Sequence, residues 1–156
     1  DYAASAVSPD PILAIAEADA LIMASGARFN IGGGDAFYSP SHDFVQVPPQ
    51  AAFHEPINWY RTALHELGHW TGHGSRLDRD QTGKFGSEAY AKEELAAEMV
   101  AAFTCAALGI APTVRHADYI ASWLSVLKVD DKAIFRAASQ ASKASDYLLA
   151  FAGEAP

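Results

Sequence analysis

The chain has 156 residues, with 19 acidic against 11 basic side chains and a formal net charge of −8. A chain of this length suits a single domain, which we expect to span residues 1–156. The acidic balance argues against a domain that grips nucleic-acid phosphates by itself. Its one cysteine, Cys105, excludes an internal disulfide and favours a reducing compartment, so we expect a cytoplasmic protein.

Two further features concern the ends of the chain and membranes. No run of about 18 residues is free of polar or charged breaks, so we expect no membrane span. The chain starts at Asp1 and has no signal-like basic and apolar start. We interpret it as a piece of a longer protein.

The first stretch predicts a short helix from about Pro11 to Ala24, with Asp10 as its N-cap.

Three strands are predicted next. Arg28–Ile31 and Ala36–Ser39 indicate a hairpin with a glycine-rich connection, which lacks a phosphate-loop pattern. The third strand, Phe44–Val47, precedes two prolines, which predict a position at the edge of the sheet. Such an edge can pair with an extended substrate or can be an ordinary edge protected by the prolines.

The remainder of the chain is predicted to be helical. One helix begins at Pro56 and runs to about Trp70, and a second begins after a Ser87 cap and ends before Gly109. Apolar residues spaced as in a helix mark two more, at 119–127 and 134–151. Together with a small antiparallel sheet, these helices predict an α+β fold.

The segment from His65 to His69 matches H-E-x-x-H on a predicted helix. Residues four apart lie one turn apart, with Cβ atoms about 5–6 Å from each other, so both imidazoles can bind one metal ion. Glu66 lies about 100° round the helix, where it can accept a proton from water at the metal. Gly68 costs about 1 kcal/mol in a helix, which indicates a close backbone approach there. The alternative is two surface histidines beside an exposed glutamate.

A catalytic zinc needs a third protein ligand, and the following helix offers one. Glu94 and Glu98 lie a turn apart beside an apolar face, where carboxylates are costly unless paired or bound to metal. We therefore predict Glu94 as the ligand and Glu98 as the acceptor for a histidine N–H. Glu93 lies about 100° away from Glu94 on the helix, which predicts exposure to solvent.

His73 is a second candidate ligand, and Asp78 or Asp80 a third. The metzincin pattern H-E-x-x-H-x-x-G is matched up to Gly72, but the histidine that it then requires would stand at the position of Ser75. We interpret His73 as a residue of the helix C-terminus or of the cleft.

Other side chains have more than one interpretation. Candidates for an oxyanion donor or substrate contact are Tyr38, Tyr90 and His73, and each tyrosine can instead be a half-buried aromatic. A small basic cluster suggests direct DNA binding, although interleaved acids favour a solvated loop of mixed charge; it comprises Arg76, Arg79 and Lys84.

Several linked segments carry a family resemblance. The stretch from Tyr60 to His73, followed by Ser75–Arg79, resembles the metallopeptidase domain of ArdC-type antirestriction proteins and of the related plasmid TraC-type primases. So do Ala36–Ser41, Phe85–Leu95 and Tyr119–Leu124, and the likeness covers nearly the whole chain from about Ala27 onward.

The resemblance implies a zincin-like fold, with a small sheet over an active-site helix. It implies Zn²⁺, or another divalent transition metal, held by His65, His69 and an acid of the Glu-Glu-Leu segment, with Glu66 as the general base. Members of the family also carry an N-terminal domain that binds single-stranded DNA, and they protect incoming plasmid or phage DNA from restriction. We expect that domain to be absent here, so that antirestriction belongs to the parent protein.

Two functional hypotheses follow. The first is a zinc-dependent peptidase acting on a peptide or protein substrate, with little direct contact to nucleic acid and none to membranes. The second is a non-catalytic, metal-stabilised interaction module that supports the DNA-binding half. An intact Glu66 favours the first, because a structural metal site needs no base beside it.

Overall fold

The structure, a computed structural model, describes residues 13–113 and 117–153, with the backbone alone for residues 117–122. Its strands are β1 (Phe29–Ile31), β2 (Phe37–Ser39) and β3 (Phe44–Val47). Its α-helices are α1 (Ala16–Ala24), α2 (Ile57–Thr71), α3 (Glu88–Ala107), α4 (Ala117–Val129) and α5 (Ala133–Ala152). A short 3-10 helix, Gln50–Ala52, precedes α2. The predicted α+β class is confirmed.

Helices α2 to α5 lie where the apolar periodicity predicts them. Ser87 caps α3, since its hydroxyl oxygen accepts a hydrogen bond from the backbone N–H of Tyr90 at 3.1 Å. After α3, Gly109 adopts a φ of +69°, the left-handed conformation in which many helices end. Local chemistry therefore fixes both ends of α3.

Helix α1 begins later than predicted. The predicted cap and first residues, Asp10 to Ile12, lie outside the described part of the chain. The next three residues are not helical, because their backbone bonds to distant side chains. The backbone of Leu13 pairs with the Gln50 amide at 2.8 and 2.9 Å, and the N–H of Ile15 donates to the Tyr60 hydroxyl at 3.0 Å. These contacts replace the first turn.

The order of the strands differs from the prediction. β3 is the central strand, parallel to β1 and antiparallel to β2, so the sheet is mixed and not antiparallel. The predicted hairpin between the first two strands is wrong. The hairpin joins β2 to β3 instead, through a tight turn in which Asp43 adopts a φ of +50°.

The predicted edge position of Phe44–Val47 is also wrong. Val45 and Val47 are fully buried, as a central strand requires. Pro48 follows the last residue that pairs with β1, so it does not interrupt the ladder. Within the described sheet, β1 and β2 are the edge strands.

Helix α2 packs on β2 and β3 and also on α3, and α3 packs on α5. The apolar face of α2 lies in the core, with Tyr60, Leu64 and Leu67 almost fully buried. Helix α2 is therefore held between the sheet and α3. None of the helices in the described part combines the length and apolar character that a membrane span requires.

Gly68 lies at a close approach of α2 and α3. A Cβ atom at this position would be 3.2 Å from the Cα and the carbonyl oxygen of Ala97, and 3.2 Å from the Cβ of Val100. The close backbone approach predicted at Gly68 is confirmed.

We expect Gly68→Ala to lower the free energy of unfolding by about 1–2 kcal/mol. Overpacking costs roughly 1–3 kcal/mol, and the gain in helix propensity returns at most about 1 kcal/mol. Urea denaturation measures the change. Gly74→Ala is the control, because its Cβ would meet only an Asp78 oxygen at 3.5 Å. A Gly68→Ala protein as stable as the wild type would mean that α3 shifts without cost.

Candidate metal centre

Helices α2 and α3 bring His65, His69 and Glu94 together, with one donor atom from each within 4.8 Å of the others. Oε1 of Glu94 lies 3.0 Å from Nε2 of His69, and Oε2 lies 3.3 Å from Nε2 of His65. Two imidazoles and a carboxylate form a donor set that suits a divalent transition metal.

The other ring nitrogen of His65 faces Glu98. Nδ1 of His65 lies 2.9 Å from Oε2 of Glu98, and the Glu98 side chain is 2% exposed. The second carboxylate oxygen of Glu98 accepts a hydrogen bond from Arg61. Glu98 therefore lies behind His65, at the ring nitrogen that does not face Glu94.

Glu93 is not exposed to solvent, and this prediction is wrong. It is buried, and its Oε1 lies 3.1 Å from Nδ1 of His69. Arg79 donates to both Glu93 oxygens, at 2.9 and 3.0 Å, and Gln81 donates to one of them at 3.0 Å. Glu93 therefore stands behind His69 as Glu98 stands behind His65. The sequence does not reveal the burial of Glu93, because the segment between α2 and α3 covers a helix face that was predicted to be exposed to solvent.

The basic cluster is not a solvated loop. The Arg79 side chain is 4% exposed and paired with Glu93, and that of Arg76 is 10% exposed. The Arg76 guanidinium forms an ion pair with Asp43 and lies 3.9 Å from the centre of the Trp70 ring. Of the three cations, Lys84 alone is exposed, which leaves little support for a DNA-binding patch.

Glu66 lies beside the three donors and lines the same cleft. Burial raises the pKa of its carboxyl, while the charges of His65 and His69 and a hydrogen bond from the backbone of Tyr38 oppose that rise. Strand β2 therefore holds Glu66 from the sheet side.

The histidines are affected by the surrounding carboxylates. Burial lowers the pKa of His69, but hydrogen bonds to Glu93 and Glu94 outweigh it and raise the pKa to about 10. Burial raises the pKa of Glu94, but its contacts with both histidines outweigh burial and hold the pKa well below the usual range. The pocket thus stabilises positive charge at the donor atoms.

The candidate oxyanion donors are placed differently from one another. The Tyr38 hydroxyl donates to Asp43 at 2.8 Å and accepts from Arg76 at 3.3 Å, so it is engaged outside the donor group. The His73 ring bonds to Ser75 in the turn after α2 and does not line the cleft. Tyr38 and Tyr90 both line the cleft.

The cleft over the three donors has a volume of about 570 Å³. Two histidines and three glutamates line it: His65, His69, Glu66, Glu93 and Glu94. Apolar residues form its rim, which comprises Ala36, Phe37, Pro40, Phe85, Ala89 and Tyr90. Sequence reasoning did not single out two of them, Phe37 and Phe85. Among the described residues, no lysine or arginine lines this cleft.

Comparison with known proteins agrees with this geometry. The family model described as zincin-like metallopeptidase matches residues 16–140. The chain belongs to the zincin-like metallopeptidase family. This chain is 49% identical over 140 residues to the DNA primase TraC of Escherichia coli. It is 44% identical over 144 residues to the uncharacterized protein y4eC of Sinorhizobium fredii. The matches cover 88% of the chain in both cases.

The zincin-like fold is also similar to that of the antirestriction protein ArdC from the R388 plasmid. The Mn(II)-bound ArdC structure superposes with a TM-score of 0.81 at 40% identity, and the metal-free structure with 0.78 at 41%. These matches cover 93% of this chain. The chain spans 13% of the length of TraC, 47% of y4eC and 55% of the Mn(II)-bound ArdC chain.

The charges around the donors of this zincin-like domain fit a divalent ion. Four carboxylates, those of Glu66, Glu93, Glu94 and Glu98, face two guanidinium groups, those of Arg61 and Arg79. With neutral imidazoles, two negative charges remain, which one divalent cation balances. Both histidines also have a carboxylate at the ring nitrogen that faces away from Glu94, as metal-binding histidines almost always do.

Proposed function

We propose that this domain is a metal-dependent peptidase, with Zn²⁺ or another divalent transition metal such as Mn²⁺ bound by His65, His69 and Glu94. When bound, the ion would polarise the scissile carbonyl and lower the pKa of a water molecule. The observation that carries the proposal is the position of Glu66, which is buried in the cleft beside the three donors but is not one of them.

Glu66 is the general base in this proposal. Its carboxylate accepts a proton from the attacking water and later transfers the proton to the leaving amine. The backbone hydrogen bond from Tyr38 orients the carboxylate, and burial brings its pKa closer to neutrality, where proton transfer in both directions is efficient. Tyr38 and Tyr90, which both line the cleft, are the candidates for a hydrogen bond to the substrate, whereas His73 does not line it.

The cleft favours a peptide over a nucleic acid. Three acidic side chains line it, and no lysine or arginine does within the described residues, whereas phosphate backbones are bound by cations. The apolar rim suits a large apolar side chain of a substrate. Such a side chain would cover Phe85, which is 90% exposed. Strand β2, rather than β3, is the edge that borders the cleft and can align an extended chain.

The parent protein has a wider role in this proposal. Because the chain spans only part of TraC and ArdC, we expect it to act beside other domains, including an N-terminal domain that binds single-stranded DNA. Similarity to ArdC supports an antirestriction role for the parent protein. A non-catalytic interaction module is the second candidate, favoured by this multidomain setting.

The test is cleavage of a peptide library by protein loaded with Zn²⁺ or Mn²⁺. We expect cleavage next to large apolar residues, loss of activity with a chelator, and recovery when metal is restored. Phe85→Ala should lower kcat/KM for these peptides about fivefold, since one aromatic contact is worth roughly 1 kcal/mol. Phe135→Ala is the matched control, an exposed phenylalanine on α5. Metal-loaded protein that cleaves no peptide would favour the interaction module.

A further inference from the structure

Two similar chains of contacts lie behind the donor atoms. His65 contacts Glu98, which accepts from Arg61, and His69 contacts Glu93, which accepts from Arg79. In both chains a carboxylate of α3 joins a histidine of α2 to a guanidinium group. The second chain allows the sharper test, because Arg79 lies in the segment between α2 and α3 and not inside a helix.

Arg79 holds Glu93 in one orientation. Its Nε and Nη2 donate to different oxygens of the carboxylate, at 3.0 and 2.9 Å, in the two-pronged geometry that arginine favours. Both oxygens of Glu93 are thereby engaged. The carboxylate cannot rotate toward the donor atoms without losing these bonds.

The same guanidinium is anchored to the helix that carries His69. Nη2 donates to the carbonyl oxygen of Gly68 at 2.6 Å, and Nη1 donates to the Thr71 hydroxyl at 2.9 Å. Gln81 adds a second link, since its amide donates to the carbonyl oxygen of His69 at 2.6 Å and to Glu93 at 3.0 Å. Glu93 is thus fixed relative to the turn of α2 that carries His69.

We propose that Arg79 is a positioning residue that sets metal affinity by holding Glu93 against Nδ1 of His69. An acceptor fixed at Nδ1 keeps the ring proton on that nitrogen, so the lone pair of Nε2 faces Glu94 and His65. The inference rests on the metal site of the proposed function. It does not require that the domain hydrolyse peptides, and a binding measurement tests it apart from activity.

The experiment measures the affinity of the whole 156-residue chain for Zn²⁺ and for Mn²⁺, by competition with a chelating dye. We expect Arg79→Met to weaken binding about 10- to 100-fold, the range typical of partners behind a metal ligand. Arg136→Met is the matched control, since Arg136 is an exposed arginine near Arg79 that pairs with Asp130 and not with Glu93. We expect this control to bind both metals as the wild type does.

A double variant separates positioning from general support of the fold. If Arg79 acts through Glu93, adding Arg79→Met to the Glu93→Gln variant should weaken metal binding by less than about twofold relative to Glu93→Gln alone. Arg79 also bonds to Gly68 and Thr71, so its loss can lower the melting temperature without metal. The rise in melting temperature on adding Zn²⁺ should shrink as well, which a purely structural role would leave unchanged.

Three results would overturn the proposal. The first is wild-type metal affinity in Arg79→Met. The second is a double variant whose fold-loss of metal affinity equals the product of the losses in Arg79→Met and Glu93→Gln. The third is a wild-type chain that binds neither metal, which also removes the metal site of the proposed function. Metal binding without peptide cleavage would count against the proposed peptidase but not against this role of Arg79.

Discussion

A His65→Ala/His69→Ala double variant is expected to lose divalent-metal binding completely. Both rings offer Nε2 to the same point beside Glu94, so removing them leaves a single carboxylate that cannot hold the ion alone. Metal analysis after dialysis should give one equivalent for the wild type and none for the variant. At a metal concentration 100-fold above Kd, the wild type should gain about 2.7 kcal/mol of stability, and the variant none.

The control for this experiment is a His54→Ala/His73→Ala double variant, which removes the same number of imidazoles outside the donor group. We expect it to keep full metal occupancy, because neither ring lines the cleft. Full occupancy in the His65→Ala/His69→Ala variant would refute the metal site. Lost occupancy in the control would reinstate His73 as a ligand.

Glu66→Gln is expected to reduce peptide hydrolysis by roughly 10²–10⁴-fold, the usual contribution of a general base. The amide keeps the shape of the side chain, and its oxygen can still accept from the backbone of Tyr38. It cannot take a proton from water. Because Glu66 is not one of the three donors, metal affinity should stay close to that of the wild type.

Glu93→Gln provides the contrast for Glu66→Gln. Glu93 contacts His69, one of the three candidate donors, so we expect its variant to lose metal affinity and to recover activity when metal is in excess. Glu66→Gln should not recover under any metal concentration. Unchanged cleavage by Glu66→Gln would reject Glu66 as the base. DNA protection by the parent protein is a separate assay, since shielding of DNA requires no peptide hydrolysis.

The parts of the fold that depend on neighbouring residues could be predicted from the sequence. The spacing of His65 and His69 within one helix turn determines that their rings share a face, whatever the rest of the chain does. The Ser87 cap and the Gly109 stop are local in the same way. The family resemblance, which the comparisons confirm, supplied the zincin-like architecture that no local signal contains.

Features that depend on distant segments could not be predicted. The apolar alternation of Phe44–Val47 indicates a strand, but it does not indicate which strands lie beside it, and here β1 crosses to pair with β3 in parallel. Glu93 shows the same problem for a helix. The segment between α2 and α3 folds over the position 100° from Glu94, so Glu93 is buried by residues that are distant in the sequence.

The hydrogen bond from Tyr38 to Glu66 has a consequence for partial unfolding. The candidate metal donors and their supporting ion pairs all belong to α2, α3 and the segment between them, whereas the backbone group that bonds to Glu66 belongs to a three-residue strand. Short strands at a sheet edge open at lower free energy than packed helices. Under mild denaturation we therefore expect the proposed peptidase activity to be lost while the proposed ion stays bound, so metal content alone would overstate the fraction of working molecules.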